Sequence, residues 1–190
     1  MLTRTPIVLA SASPRRQELL KNAGIPFVVR PADIPEIPRR GERPQAFAER
    51  MATEKARAVQ ATTPGAVILA ADTVVAIDAE ILGKPENAGD ADRMLRLLSD
   101  RTHEVITAVC LLGENFEDTR SESTAVHFSA MREVEIAEYV ASGEPMDKAG
   151  AYAIQGRASR WISRIEGDYY NVVGLPVELV WRMLREHGVL

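Results

Sequence analysis

Residues Ala66–Ile77 read AVILAADTVVAI, an apolar, β-branched run interrupted by one charge, Asp72. A run of this kind predicts a buried strand. A carboxylate inside such a strand is costly unless a metal, a cation or a water network holds it. At a strand end facing a cleft, Asp72, with Thr73 beside it, suits a metal ligand or a general base. The competing assignment is an aspartate that breaks the strand by capping a turn.

Elements alternate on either side of this strand. Upstream, Pro6–Ala10 predicts a short buried strand, Ser13 fits a helix N-cap, Pro14 fits a first helical residue, and Gly24 ends the helix. Phe27–Arg30 reads as a second strand. The proline-rich segment Pro31–Pro44 stays extended, and its length suits a functional connection. From Pro44 to about Thr62 the pattern is helical.

Downstream, Asp78-Ala79 can turn the chain back into Glu80–Leu82, and a helix follows over Ala88–Ser99. His103–Gly113 and Phe116–Ala130 form a long hairpin, Val134–Ser142 is a helix, Ala151–Ile154 and Trp161–Ile165 are short strands, and Pro176–His187 is a closing amphipathic helix. Interleaved strands and helices predict a mixed sheet in an α/β or α+β arrangement. With 190 residues and no repeat or linker, one domain with two lobes over 1–190 is the expectation.

Charge narrows the function classes. The chain holds 23 basic and 27 acidic residues, a net charge of −4, against the basic field a non-specific nucleic-acid binder needs. Aromatics at 5% also disfavour an RNA-binding module. No apolar run approaches a membrane span, and the amino-terminal run is too short for a signal peptide. The single cysteine excludes an intrachain disulfide. A cytoplasmic protein is expected. Only four of the basic residues are lysines: Lys21, Lys55, Lys84 and Lys148. In so arginine-rich a chain, a surviving lysine can mark a place that needs a compact ammonium, although chance explains any one of them about half the time.

Four places look chemical. In Ser11-Ala12-Ser13-Pro14-Arg15-Arg16, two arginines stand in a helical first turn that ordinarily prefers acids. Together with the serines they suit an anion; otherwise they point into solvent or pair with acids elsewhere. Asp72 is the second place. Third, Lys55 lies on a helix and Lys84 in Gly83-Lys84-Pro85, a tight loop after a strand that can present an ammonium to phosphate or simply be solvated. It is not a Walker A loop. Glu54 and Lys55 diverge by about 100° and cannot both face one ligand centre squarely. Fourth, DKAGAYAIQG (147–156) and IEGDYYN (165–171) suit pocket walls. Gln155 can accept and donate together, matching the edge of a uracil or thymine ring, but glutamine beside glycine is more often a surface turn. Cys110 reads as inert core, and His103, His127 and His187 lack metal-ligand spacing.

In this order, SASPRR, EKA, ADT, GKP, HEVITAV, DKAGAYAIQG and GDYYNVVGLP resemble the Maf (septum-formation-inhibitor-like) nucleotide pyrophosphatases, from about Leu9 to the last helix. Each motif alone is weak; seven in order are specific. The resemblance implies an elongated α/β fold with a central mixed β-sheet flanked by helices, similar to the inosine-triphosphate pyrophosphatase fold, with a cleft between two lobes. It implies a homodimer, a divalent metal (Mg²⁺ or Mn²⁺), and hydrolysis of a nucleoside triphosphate to monophosphate and pyrophosphate.

By the same resemblance Asp72 is the proton acceptor and a metal ligand, and Ser11, Arg15, Arg16, Lys55 and Lys84 hold the triphosphate. Arg15, Thr73 and Gln155 go with base choice in the dTTP- and UTP-hydrolysing branch that AGAYAIQG resembles. Glu36 would help with metal, but Ile34-Pro35-Glu36 carries proline where an acid is common, leaving Asp33 as a substitute. The rival expectation is a nucleotide-binding regulator of cell division that needs no turnover.

Overall fold

A mixed seven-stranded sheet runs through the computed structural model, which describes residues 6–190. The first five residues, part of the stretch read above against a signal peptide, lie outside the described residues. In chain order the elements are β1 (Ile7–Leu9), α1 (Pro14–Asn22), β2 (Phe27–Val29), α2 (Pro44–Gln60), β3 (Ile68–Ile77), β4 (Glu80–Leu82) and α3 (Ala88–Leu98). Then follow β5 (Thr102–Leu112), β6 (Glu117–Phe128), α4 (Glu133–Ala141), β7 (Ile162–Glu166), α5 (Tyr169–Val173) and α6 (Val177–Glu186). The strand order is β2-β1-β3-β5-β6-β7, with β4 paired to β3. Only the β1–β2 and β1–β3 pairs are parallel.

β3 sets the position of everything chemical. On one edge it pairs with β5 from Ile68 to Ala76. On the other, β1 meets it only at Ile68 and Leu69, and β4 takes up that edge at Val75. Among the described residues Ala70–Val74 have no strand on that side, which opens a notch at the carboxyl end of β1. β1 also has parallel neighbours on both sides, and crevices at such a point in an open sheet are where ligands bind.

The period of two in β3 sends alternate side chains to opposite faces. Ile68, Ala70 and Val74 pack with Ile106, Ala108 and the buried face of α2. Leu69 and Ala71 pack with Val109, Leu111 and residues of α1 and α6. Farther along, Val75 and Ile77 join Leu95, Leu98, Ile136 and Tyr139 of α3 and α4. Both faces are covered, which is why the strand reads as a continuous apolar run rather than an alternating one. Cys110 is buried and unpaired in the α2-side cluster.

Most expected elements are present within a residue or two. Ser13 caps α1 and accepts from the Arg16 N–H, with Pro14 as the first helical residue. Asp78 and Ala79 both take positive φ, 50° and 66°, the backbone of a tight turn matched to strand twist. One expectation fails: Ala151–Ile154 is not a strand. A 3-10 turn spans Ala149–Ala151, with φ of 66° at Gly150 and 61° at Ala151. That left-handed pair cannot continue a ladder. A Cβ on Gly150 would stand 2.8 Å from Val75, so the segment lies against the face of β3 instead of extending the sheet. The short helix α5 was not foreseen either; Asp168 caps it by accepting from the Tyr170 N–H. No helix among the described residues is long and apolar enough to cross a membrane.

Candidate active site

The notch in β3 opens into a cleft of about 900 Å³. Its lining includes Ser11, Arg15, Arg16, Glu36, Lys55, Asp72, Thr73, Lys84 and Gln155, the full expected set. Asp33, the substitute for Glu36, is exposed and outside that lining. Asp72 and Thr73 leave β3 on opposite faces, and the missing neighbour strand allows both to reach the same cleft.

On the α2 side, Lys55 occupies a helix face otherwise built from Phe47, Ala48, Met51, Ala52, Ala56 and Val59. Its Nζ lies 2.6 Å from Asp72 Oδ1 and 2.5 Å from Glu36 Oε1. Lys55 and Asp72 are 8% and 5% exposed. Both charges are therefore buried, and each depends on the other to offset desolvation. Burial pushes the Asp72 carboxyl above the ordinary carboxylate range, with Lys55 and Arg16 pulling against it. At Glu36, burial is outweighed by the hydrogen bond and charge of Lys55, helped by Lys84 and Arg16, so its carboxyl is held below its usual value. Glu54 points away to Arg50.

On the other face the two arginines part company. Arg16 donates from Nε to Gly174 O at 2.8 Å, from Nη1 to Ala71 O at 2.9 Å and Ser11 Oγ at 3.2 Å, and from Nη2 to Thr73 Oγ1 at 3.0 Å. Four of its five N–H groups are committed. The Ala71 carbonyl lies in the stretch of β3 left without a neighbouring strand, so Arg16 closes part of the open edge. Arg15 carries a buried Nε with no partner among the described residues. An orphaned guanidinium nitrogen beside a helix N-terminus is a donor waiting for an anion. Arg16 is committed to acceptors of the protein itself, whereas Arg15 Nε is not.

Thr73 Oγ1 lies 2.9 Å from Thr107 Oγ1 on β5, and Thr107 donates to Asn171 O. Asn171, fully buried, accepts from the Thr107 N–H and donates to Val105 O and Thr124 Oγ1. This carboxamide fastens α5 to the sheet and so fixes Gly174, which in turn orients Arg16. The sequence reading placed the GDYYN stretch in a wall but assigned Asn171 no task. Lys148, quoted but given no role, also lines the cleft, with Nζ 2.8 Å from Glu144 O and 2.5 Å from Asp147 Oδ1. Lysine scarcity was the signal that could have found it. Lys55, Lys84 and Lys148 line the cleft, while Lys21 is an exposed residue at the end of α1.

The family described as Maf-like protein matches residues 6–187. The chain belongs to the Maf-like family. A dTTP/UTP pyrophosphatase of Koribacter versatilis is 54% identical over 184 residues, covering 97% of this chain and 95% of that protein. Proteins of the same description from Symbiobacterium thermophilum and Exiguobacterium sibiricum are 50% and 47% identical, covering 96% and 100% of this chain and 94% and 96% of theirs.

Two carboxylates already share one cation position at Lys55 Nζ. Among the described residues no group of three or more His, Cys, Asp or Glu converges on a metal position. A pair of hard oxygen donors in a cleft that also holds Lys84 and Arg15 is a donor set that suits Mg²⁺ or Mn²⁺, ions that take their remaining ligands from water and phosphates. Asp72 and Glu36 fit that role.

Proposed function

We propose that this Maf-like protein hydrolyses dTTP and UTP to the monophosphate and pyrophosphate, as a single two-lobed domain that works in the cytoplasm as a homodimer. The observation that carries the reading is the convergence of Asp72, Lys55, Arg15 and Lys84 on one cleft where β3 loses its neighbour strand. The names of relatives near 50% identity support the same substrates.

Asp72 Oδ1 carries the Lys55 bond, which leaves Oδ2 to take a proton from water. A carboxyl raised by burial is a stronger base than an ordinary aspartate, provided it is ionised. The water oxygen bonds to the α-phosphorus, the bond from that phosphorus to the α–β bridging oxygen breaks, and its electron pair leaves on pyrophosphate. Arg15 and Lys84 neutralise charge building up on the departing group. Lys55 holds Asp72 in place and, when phosphate enters, is an ammonium within reach of it. Asp72 and Glu36 would hold a divalent cation, which when bound screens phosphoryl charge and acidifies water. Gln155 reads the carbonyl and N3–H edge of the pyrimidine, with Arg15 and Thr73 in the lining of the same cleft.

The test is incubation of the purified protein with the common ribo- and deoxyribonucleoside triphosphates and Mg²⁺ or Mn²⁺, measuring pyrophosphate and monophosphate. dTTP and UTP should yield both products. Bound nucleotide with no pyrophosphate from any of them would replace the reading with nucleotide binding without turnover.

A further inference from the structure

We propose that Glu144 is a positioning residue for base recognition, its carboxylate fixing the turn that presents Gln155; the inference rests on the reading of Gln155 given above. Glu144 lies in a 3-10 turn, Glu144–Asp147, after α4. Its Oε1 accepts from the Arg157 N–H at 2.9 Å and from the Tyr139 hydroxyl at 3.1 Å. Tyr139 is fully buried and meets Trp161 edge to face at 5.3 Å, so this end of the link is rigid. One oxygen therefore ties the residue two places beyond Gln155 to the core.

Gly156 gives an independent sign of the same contact. A Cβ built there would fall onto Glu144 Oε1. The φ of Gly156, −103°, is open to any L-residue, so backbone conformation does not demand glycine. A side chain there would instead displace the Glu144 carboxylate from its present bonds. The turn also closes on itself, Gly156 N–H donating to Ala153 O at 3.1 Å. Gln155, exposed and lining the cleft, stands between that turn and the Glu144 anchor. With its neighbours pinned, its amide meets the base without first losing loop entropy. Glu144 touches no reacting atom, and its task requires an acceptor rather than a charge.

The experiment measures kcat and KM for dTTP, UTP and CTP in Glu144→Ala, Glu144→Gln, Tyr139→Phe and Gln155→Ala, with unfolding midpoints recorded for each. Glu144→Ala should lower the preference for UTP over CTP by about tenfold, mostly through KM, in the direction set by Gln155→Ala. Glu144→Gln keeps an amide oxygen for both donors and should stay within about threefold of the parent, with Tyr139→Phe between the two. If Glu144→Ala does not fold, Glu144→Asp, one methylene too short to reach, should show the same loss of preference. Discrimination retained in the Glu144 variants but lost in Gln155→Ala would overturn this inference alone. Discrimination retained in Gln155→Ala as well would overturn the base-reading role and this inference with it. An equal loss in Glu144→Gln and Glu144→Ala would also overturn it, since the charge and not the anchor would then matter.

Discussion

Lys55 Nζ lies 2.6 Å from Asp72 Oδ1, an ammonium on the buried face of α2 meeting a carboxylate on the facing strand. Asp72 needs this cation to offset its burial, while Lys55 keeps Glu36 Oε1 at 2.5 Å as a second partner. Replacing Asp72 by asparagine preserves shape and a hydrogen-bond partner but removes the proposed proton acceptor. Asp72→Asn should lower kcat for dTTP by at least ~100-fold, the usual scale for a lost general base. Nucleotide affinity, measured by calorimetry, should change little. Near-parent turnover would remove Asp72 from the chemistry.

Arg15 and Arg16 are neighbours with opposite commitments, and substitution should separate them. Arg16→Met abandons Gly174 O and Ala71 O, both acceptors at the notch, and should lower unfolding free energy by about 3 kcal/mol. Arg15→Met should leave the denaturation midpoint close to the parent while raising KM for dTTP about tenfold or more, the worth of one charge-assisted contact to phosphate. Equal stability losses in both variants would contradict the division of labour.

His103 is 2% exposed, lies 2.8 Å from the Tyr152 hydroxyl through Nε2, and meets Phe128 edge to face. Burial, with a smaller contribution from His127, lowers its pKa from 6.5 to about 4. Between those values the unfolded chain binds a proton that the folded chain refuses, so stability rises with pH across the window. It is lost as pH falls from about 6.5 to about 4, by up to ~3 kcal/mol from this group. Urea unfolding of His103→Phe should show a flatter profile over that window than the parent.

Asn171 answers three groups of the sheet at once, the Thr107 N–H, Val105 O and Thr124 Oγ1. Asn171→Asp keeps the acceptor for Thr107 but turns the donating side into a second acceptor facing Val105 O. About 3 kcal/mol of stability should go, and thermal unfolding would measure it. A shift within error would mean α5 is held by packing alone.

Where the sequence was readable, local chemistry agreed with the global fold. The Ser13–Pro14 start of α1 and the one-charge strand around Asp72 carried their meaning in a few adjacent residues. Asp72 stood out because its cost could be judged without knowing its partner. The partner itself was not legible: Lys55, read only as a triphosphate-holding residue, sits 17 positions away and reaches Asp72 through helix-on-sheet packing. The bonds of Arg16 were hidden for the same reason: a basic first turn looks alike whether its guanidinium stands free or lies along a strand edge. Ala151–Ile154 had the composition of a strand, but Gly150 and Ala151 take left-handed φ, and Gly150 packs so closely on Val75, far away in sequence, that only glycine fits there. The notch in β3 was invisible, since it depends on where β1 stops and β4 begins.

The bond from Arg16 Nε to Gly174 O spans 158 residues. During synthesis, a nascent chain that has exposed β1, α1 and β3 outside the ribosome still lacks the carbonyl that locks this guanidinium. The arginine then has Ser11, Ala71 and Thr73 within reach but lacks its fourth acceptor until the last segment emerges. The guanidinium is thus fully fixed only in a chain long enough to include Gly174, however much of the sheet has already assembled.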